Sequence, residues 1–256
     1  MLEQIQNELQ NIEKTHDVTI LYACESGSRA WGFPSQDSDY DVRFIYIHRP
    51  NWYLSIDDQR DVIELPINDL LDINGWDIRK APRLFRKSNP PLHEWLQSSI
   101  KYHQTHDFQD KMNQLVPTVY APRPCMHHYL NMAKNNYREY LRGEQVKIKK
   151  YFYVLRPILA CIWIGTYLNR PPLDFETLVN HLMKDSVLHA TVMNLLERKL
   201  RGDELDLEPR LDALNLWIEQ QMTWIEERIH ELPEVEHDPT GELNQLFQEM
   251  LQKVYG

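Results

Sequence analysis

The residue types with the clearest chemistry in this sequence are two aspartates separated by one residue, Asp39 and Asp41, and a Gly-Ser pair upstream, Gly27 and Ser28. If Asp39 and Asp41 lie on a strand, their side chains face the same side, because side chains alternate along a strand. Two carboxylates on one side can share a metal ion, and oxygen ligands of this kind suit Mg²⁺. The spacing therefore predicts a cation site at Asp39 and Asp41.

The Gly-Ser pair offers a different chemistry. Glycine lets the backbone approach a phosphate closely, and a helix that starts near Arg29 directs unpaired amide N–H groups at an anion. The Ser28 hydroxyl adds a further donor. Gly27 and Ser28 are therefore predicted to hold phosphate groups, while Arg29 is compatible with facing either phosphate or solvent. A polar turn between two strands, with no metal, is the alternative for the whole segment.

A third carboxylate is needed if two Mg²⁺ ions clamp the attacking and leaving oxygens of a phosphoryl displacement. Asp72 in "LLDING" lies between apolar neighbours, as expected of an aspartate on a strand, and is the candidate. Asp77 and Glu64 compete with it. A calcium loop is excluded for "DSDYD", because Val42 and His48 occupy the positions that require Gly and Glu.

Four segments of the chain share a pattern with a known superfamily. The stretches "GSRAWG", "SDYDVRF", "LDINGWDIRKA" and "SNPPLHEWL" together resemble the DNA polymerase beta-type nucleotidyltransferases. They are most similar to the branch of predicted nucleotidyltransferases that includes the RNA-repair-pathway polymerase-beta-like proteins (the YcgL/RlaP group). The resemblance implies that Gly27 and Ser28 bind the triphosphate, and that Asp39, Asp41 and Asp72 are the metal-binding and catalytic residues.

The same branch carries a later helix with a Lys and, seven residues on, an Arg, and Lys149 and Arg156 have this spacing. Residues at i, i+4 and i+7 share a helix face, so Lys149, Tyr153 and Arg156 are expected to point the same way. An Arg in so apolar a run requires an anionic partner. The resemblance implies that this partner is the triphosphate, and a buried carboxylate is the alternative.

The predicted elements change in type along the chain. A helix over residues 4–14 is followed by short strands at 17–23, 40–47, 60–67 and 69–75 and by a mostly helical stretch at 76–100. From about residue 118, one helical pattern follows another. With the resemblance, this predicts an α+β fold: a polymerase beta-like mixed sheet with flanking helices, plus a C-terminal all-helical domain. The predicted domains are residues 1–117, catalytic, and residues 125–256, helical, joined by the Pro-rich segment 116–124.

One helical segment carries a run of basic residues with no acid between them: Arg79, Lys80, Arg83, Arg86 and Lys87. A solvated helix face is one interpretation of this run. A surface for a negatively charged acceptor or nucleotide is the other.

Composition narrows the class of protein. The net charge is −10, and residues 201–256 hold 14 acidic and 4 basic side chains, so the rest of the chain is balanced. This disfavours strong nonspecific nucleic-acid binding, which depends on many Lys and Arg contacts.

The apolar run 151–168 is interrupted by Arg156 and Pro157 and is predicted to be a buried helix, not a membrane span. No secretory signal is recognisable at the start, so a cytoplasmic location is expected. The three cysteines lack disulfide or zinc spacing.

These patterns and the resemblance predict an enzyme that transfers a nucleoside monophosphate from an NTP to an acceptor hydroxyl and releases pyrophosphate. Two Mg²⁺ ions, or Mn²⁺ in their place, are the expected cofactors. The acceptor is left open among RNA ends, small molecules and protein hydroxyls, and RNA repair enters only through the resemblance. The alternative is a non-catalytic nucleotide-binding or antitoxin-like partner protein on the same fold.

Overall fold

The computed structural model describes residues 1–35, 38–67, 70–203, 205–234 and 237–256. The strands within them are β1 (Val18–Glu25), β2 (Tyr40–His48), β3 (Val62–Glu64), β4 (Leu71–Asp77), β5 (Lys101–Gln104), β6 (Gln145–Lys147) and β7 (Leu207–Pro209). The helices are α1 (Leu2–His16), α2 (Gly27–Ala30), α3 (Pro50–Tyr53), α4 (Lys80–Arg86), α5 (Pro90–Gln97), α6 (Phe108–Val119), α7 (Pro122–Tyr140), α8 (Lys150–Tyr167), α9 (Phe175–Leu182), α10 (Ser186–Arg201), α11 (Asp212–Glu231) and α12 (Thr240–Tyr255). The predicted α+β fold class is confirmed.

The chain divides into two compact units. The first contains the described residues of Met1–Ala30, Asp39–Tyr120 and Glu236–Gly256, and the second contains those of Trp31–Ser38 and Ala121–Val235. All five strands β1–β5 lie in the first unit. The second is mainly helical, with β6 and β7 paired as an antiparallel ribbon.

The sheet of the first unit has the strand order β3-β4-β2-β1-β5. The β2 strand is antiparallel to β1 but parallel to β4, which makes the sheet mixed. The parallel register runs from Tyr40 opposite Leu71 to Tyr46 opposite Asp77. This register decides which side chains of the two strands become neighbours.

Each face of the sheet is covered by its own core. Because side chains alternate along β2, Val42 and Phe44 pack on the α1 side with Ile5, whereas Ile45 and Ile47 pack on the opposite side. The helix α1 forms because Ile5, Leu9 and Ile12 recur at helical spacing, and these are its buried residues.

The last helix differs from the predicted domain boundaries, which assign residues 125–256 to one helical domain. Helix α12 packs instead in the first unit, where Leu243, Leu246 and Met250 join the core that contains Ile47 and Phe85. Burial of this apolar stripe on α12, and not nearness in sequence, determines the unit to which the helix belongs. The cut between residues 120 and 121 lies within the Pro-rich segment 116–124, but most of that segment is helical and not an extended linker, since α6 ends at Val119 and α7 begins at Pro122.

The stretch predicted as mostly helical at 76–100 begins with the end of a strand. Strand β4 continues through Asp77, and two helices, α4 and α5, follow it. Pro82 lies in the first turn of α4, where a missing N–H is harmless. The Asn89 side chain caps α5 by accepting from the Leu92 N–H. Asp69, the first residue of the predicted strand 69–75, lies outside the described residues.

Helix α8 is the buried helix expected from the apolar run at 151–168. Within the described residues, no helix combines the length and the apolarity that crossing a membrane requires.

Candidate active site

The carboxylates of Asp41 and Asp72 are brought together by the parallel pairing of β2 and β4. Asp41 is the register partner of Asp72, so the two side chains leave neighbouring strands at the same level. Both are partly exposed, at 28% for Asp41 and 29% for Asp72. Neighbouring carboxylates repel one another, and a site of this kind favours a cation.

The guanidinium of Arg43 lies between these two carboxylates. Its Nη2 atom is 3.0 Å from Asp41 Oδ1 and 2.8 Å from Asp72 Oδ2, while Nη1 donates to the Asp72 carbonyl oxygen at 3.0 Å. Sequence reasoning missed this residue. The available signal was spacing, because Arg43 is two residues after Asp41 on a strand and therefore faces the same side.

Asp39 stands just before the first residue of β2 and adds negative charge. Burial is the main factor that raises the pKa of Asp41; Arg43 opposes it, and Asp72 and then Asp39 raise it further. Electrostatically, the three predicted aspartates therefore form one group. Arg43 balances part of the negative charge of the three aspartates.

Glu25, at the end of β1, is a buried acid that contacts the backbone of Asp41. It is fully buried, and its Oε1 accepts from the Asp41 N–H at 2.8 Å. The Tyr102 hydroxyl donates to Glu25 Oε2. Burial raises the pKa of Glu25, and the hydrogen bonds from Tyr102 and Asp41 oppose that rise. Sequence reasoning missed Glu25, although an acid that ends a buried apolar strand was a visible signal.

Gly27 is required by its position beside Asp41. Its φ is +60°, and a Cβ at this position would lie 2.1 Å from Asp41 Oδ2. Both the backbone conformation and the close approach therefore favour glycine. Ser28 follows in the same short turn, α2, and is partly exposed. The structure thus brings the Gly-Ser turn and Asp41 together.

Arg29 is held within the first unit. Its guanidinium carbon is 3.7 Å from the centroid of the Tyr40 ring, and its Nε donates to the Asp39 carbonyl oxygen at 3.1 Å. The side chain therefore lies at the edge of the carboxylate group.

The two competitors of Asp72 have other surroundings. Asp77 is fully buried and accepts from the Tyr53 hydroxyl and the Arg79 N–H, both at 2.8 Å. It is five residues from Asp72 along β4, roughly 16 Å at the usual rise of a strand. Glu64 is exposed and accepts from the Asn74 side chain at 3.0 Å. The geometry favours Asp72 as the third carboxylate.

The second unit holds the other two predicted residues. Lys149 immediately precedes α8, and Arg156 lies within it and is 2% exposed. The Arg156 guanidinium carbon is 4.8 Å from the Trp31 ring centroid. Burial, and secondarily Lys149, lower the pKa of Lys199. Sequence reasoning missed Lys199, which adds a third cation to this part of the unit.

The fit of a divalent cation depends on the donor set. Within the described residues, no three His, Cys, Asp or Glu side chains are close enough to form a ready-made metal site. The paired oxygens of Asp41 and Asp72, with Asp39 adjacent, nevertheless have the hard-oxygen chemistry that Mg²⁺ prefers. By the chemistry of their donor atoms these residues fit the ion, and Arg43 is the cation that contacts both carboxylates in this structure.

Comparison with known proteins defines the class. The family described as RlaP, RNA repair pathway DNA polymerase beta family, matches residues 1–249. The chain belongs to this family, which confirms the resemblance drawn from its motifs and makes it a member of the polymerase-beta-like nucleotidyltransferases.

One curated relative is similar over nearly its whole length. The "Uncharacterized protein YcgL" of Bacillus subtilis (strain 168) is 52% identical over 255 residues, which cover 100% of this chain and 98% of that protein. A crystal structure of a nucleotidyltransferase-like protein from Exiguobacterium sibiricum 255-15 aligns with a TM-score of 0.33 and 12% identity. That alignment covers 97% of this chain and 80% of that one.

Proposed function

We propose that the protein is a Mg²⁺-dependent nucleotidyltransferase that transfers a nucleoside monophosphate from an NTP to an acceptor hydroxyl. The observation that carries this proposal is the register of β2 and β4, which sets Asp72 beside Asp41 while Gly27 lies against the Asp41 carboxylate. Family membership supports the same class of chemistry.

In the proposed reaction, the acceptor oxygen attacks the α-phosphorus of the NTP. The bond from that phosphorus to the bridging oxygen breaks, and pyrophosphate leaves with the electron pair. The proton of the acceptor hydroxyl passes to the Asp72 carboxylate as the oxygen attacks. Asp39 and Asp41 would hold two Mg²⁺ ions and Asp72 one of them. When bound, the metal would neutralise charge on the phosphates, and Mn²⁺ offers similar coordination.

The chain itself contributes positioning. Glu25 accepts a hydrogen bond from the Asp41 N–H and so holds the Asp41 backbone in place, which positions the Asp41 carboxylate. Gly27 and Ser28 would bind phosphate oxygens through backbone and hydroxyl donors, with Arg29 at the edge. Lys149 and Arg156 are proposed, on the resemblance to the family, to bind the triphosphate as well. Catalysis of this kind rests largely on orientation and charge neutralisation.

Titration calorimetry of each NTP with Mg²⁺ tests the proposal. The wild type should bind, and Asp39→Ala plus Asp41→Ala should lose both binding and turnover. Glu64→Gln, an exposed acid outside the group, is the matched control and should behave as the wild type. No binding by the wild type, or unchanged binding and turnover in the double variant, would reject the proposal.

The acceptor class can be found in one labelling experiment. The protein is incubated with α-labelled NTPs and separated pools of cellular RNA, protein and metabolites. Label in the RNA pool at 3′ ends would support an RNA acceptor, whereas label in another pool would assign that class. A catalytic protein should label one pool, and the Asp39→Ala plus Asp41→Ala variant should label none.

A non-catalytic partner protein is the second candidate, and one observation favours it. Arg43 already bridges Asp41 and Asp72, so the two carboxylates are balanced by an internal cation. Pull-down from lysate separates the two candidates. A stoichiometric protein partner, with no turnover of any NTP, would favour the non-catalytic function.

A further inference from the structure

A second charged feature of the first unit is a cavity between α4 and α12, with a volume of about 150 Å³. Arg79, Arg83 and Arg86 line one side, and Thr240, Asn244 and Phe247 are among the residues of the other. We call this cavity the arginine pocket. None of its lining residues in the described chain is acidic.

The basic residues of the run 79–87 differ in their positions, and only the three arginines line the arginine pocket. Lys80 is paired with Asp61 at 2.9 Å, and Lys87 is exposed and does not line the pocket. Arg79, Arg83 and Arg86 follow the spacing i, i+4 and i+7, which places them along one side of the helix. Like charges at this spacing destabilise a helix unless an anion balances them.

Arg79 and Arg86 are both positioned by the fold. The Arg79 guanidinium carbon lies 4.7 Å from the Tyr53 ring centroid and 5.0 Å from that of Trp52. Arg79 Nε is also 3.6 Å from Asp77 Oδ1. Arg86 Nη1 donates to Thr240 Oγ1 at 2.7 Å, which joins α4 to α12 across the pocket. Preorganised groups lose less entropy when they bind a ligand.

The positive charge of the pocket is only weakly compensated. Within the described residues, no carboxylate oxygen lies within 4.0 Å of the guanidinium nitrogens of Arg83 or Arg86. Asp238 lies near enough to Arg86 to interact with it electrostatically. Hydrogen bonds from Thr240 are the main cause of its lowered pKa, and Arg86 contributes less. Two of the three arginines therefore face the cavity without a direct ion pair.

We propose that the arginine pocket binds a phosphate monoester group. The planar fork of Arg matches phosphate oxygens, and three guanidinium groups suit the double charge of a monoester. The volume is comparable to a cavity that accepts a benzene-sized ligand, so a phosphate group fits. Phe247 and Leu243 would contact the organic part of the ligand.

This site is distinct from the proposed active site. Arg79 follows the end of β4 that carries Asp77, and Asp72 lies near the other end of that strand, roughly 16 Å away along β4. One phosphate group cannot contact both places. The inference therefore goes beyond the proposed function and holds or fails independently of it.

The test uses the full chain in EDTA, so that binding which requires a divalent cation is suppressed. Titration calorimetry compares AMP with adenosine, and a 5′-phosphorylated ten-nucleotide RNA with the same RNA bearing a 5′-hydroxyl. At least one phosphorylated probe should bind tenfold or more tightly than its dephosphorylated form, and inorganic phosphate should compete. Arg83→Gln plus Arg86→Gln should weaken that binding at least tenfold, since charge-assisted hydrogen bonds are lost.

The controls separate the pocket from general charge. Lys87→Gln plus Lys101→Gln removes the same charge outside the pocket and should change affinity less than twofold. Asn244→Asp adds a negative charge inside the pocket and should weaken binding as the arginine variant does. Binding of AMP alone would assign a small ligand, and binding of the RNA alone would assign an RNA end. Equal binding of phosphorylated and dephosphorylated probes, or equal losses in the arginine and lysine variants, would overturn the proposal.

Discussion

The two ends of β4 each carry an aspartate next to an arginine, yet their surroundings differ. Asp72 is 29% exposed and shares Arg43 with Asp41. Asp77 is fully buried, accepts from Tyr53 and from the Arg79 backbone, and lies against the Arg79 side chain. A partly exposed carboxylate beside another carboxylate can be reached by a ligand, whereas a buried carboxylate that accepts two hydrogen bonds holds the fold. Exposure and partners, and not residue type, distinguish a site from a structural contact.

The largest effect expected from this comparison is on activity at Asp72. Asp72→Asn should lower NTP-dependent transfer about a thousandfold, because loss of a metal ligand and proton acceptor removes several kcal/mol of transition-state stabilisation. The free energy of unfolding should change by only about 1 kcal/mol, because the Asp72–Arg43 pair is partly exposed and Arg43 keeps Asp41 as a partner. Label transfer and urea unfolding measure the two quantities. Near-wild-type transfer would show that Asp72 is not the third carboxylate.

The reverse result is expected at Asp77. Asp77→Asn should lower the free energy of unfolding by about 2–3 kcal/mol, because a buried carboxylate with two hydrogen-bond donors is replaced. Activity per folded molecule should be retained. Urea unfolding gives the first quantity, and transfer at a temperature where both proteins are folded gives the second. A large loss of turnover in folded protein would instead place Asp77 in the site.

A smaller and more specific effect is expected at Gly27. Gly27→Ala should destabilise the protein and impair Mg²⁺-dependent NTP binding, because the new Cβ would displace the Asp41 carboxylate. Gly202→Ala is the matched control. Gly202 also has positive φ, +81°, but among the described residues no atom outside its own stretch of backbone lies within 4 Å of its Cβ position. Both variants should lose about 1 kcal/mol from backbone strain, and only Gly27→Ala should lose binding. Equal behaviour in calorimetry would contradict the close approach.

The smallest effect is a change in pH dependence at Glu25. Its pKa is raised in the folded state, mainly by burial, so the folded protein binds more protons than the unfolded chain above the ordinary Glu pKa. The contribution of Glu25 to stability is therefore greatest below its unfolded pKa and falls as pH rises through its folded pKa. Glu25→Gln should remove this fall.

Urea unfolding over a pH series from about 4 to neutrality measures that change. Relative to the wild type, Glu25→Gln should become more stable as pH rises. A constant difference between Glu25→Gln and the wild type at every pH would contradict the assignment.

Local patterns of the sequence predicted much of the first unit. The helix around Ile5 and Leu9 and the strand after it follow from apolar spacing, and both are present. The proximity of Gly27 and Asp41 also agrees with the structure. Arg43 and Glu25 were not found, because their roles depend on neighbours across strands. The roles of Asp39, Asp41 and Asp72 in catalysis stay predictions until the variants are measured.

The sequence by itself determined most of the helices, the strands next to the site and the chemical groups that each one carries, since these depend on residues that are close along the chain. The short strands β5, β6 and β7 were not predicted. Only the tertiary structure decided that Asp72 is the register neighbour of Asp41 and that Arg43 lies between them. It also decided that α12 returns to the first unit and completes the arginine pocket. These features require contacts between residues far apart in sequence, and burial of apolar side chains from several elements together fixes such contacts.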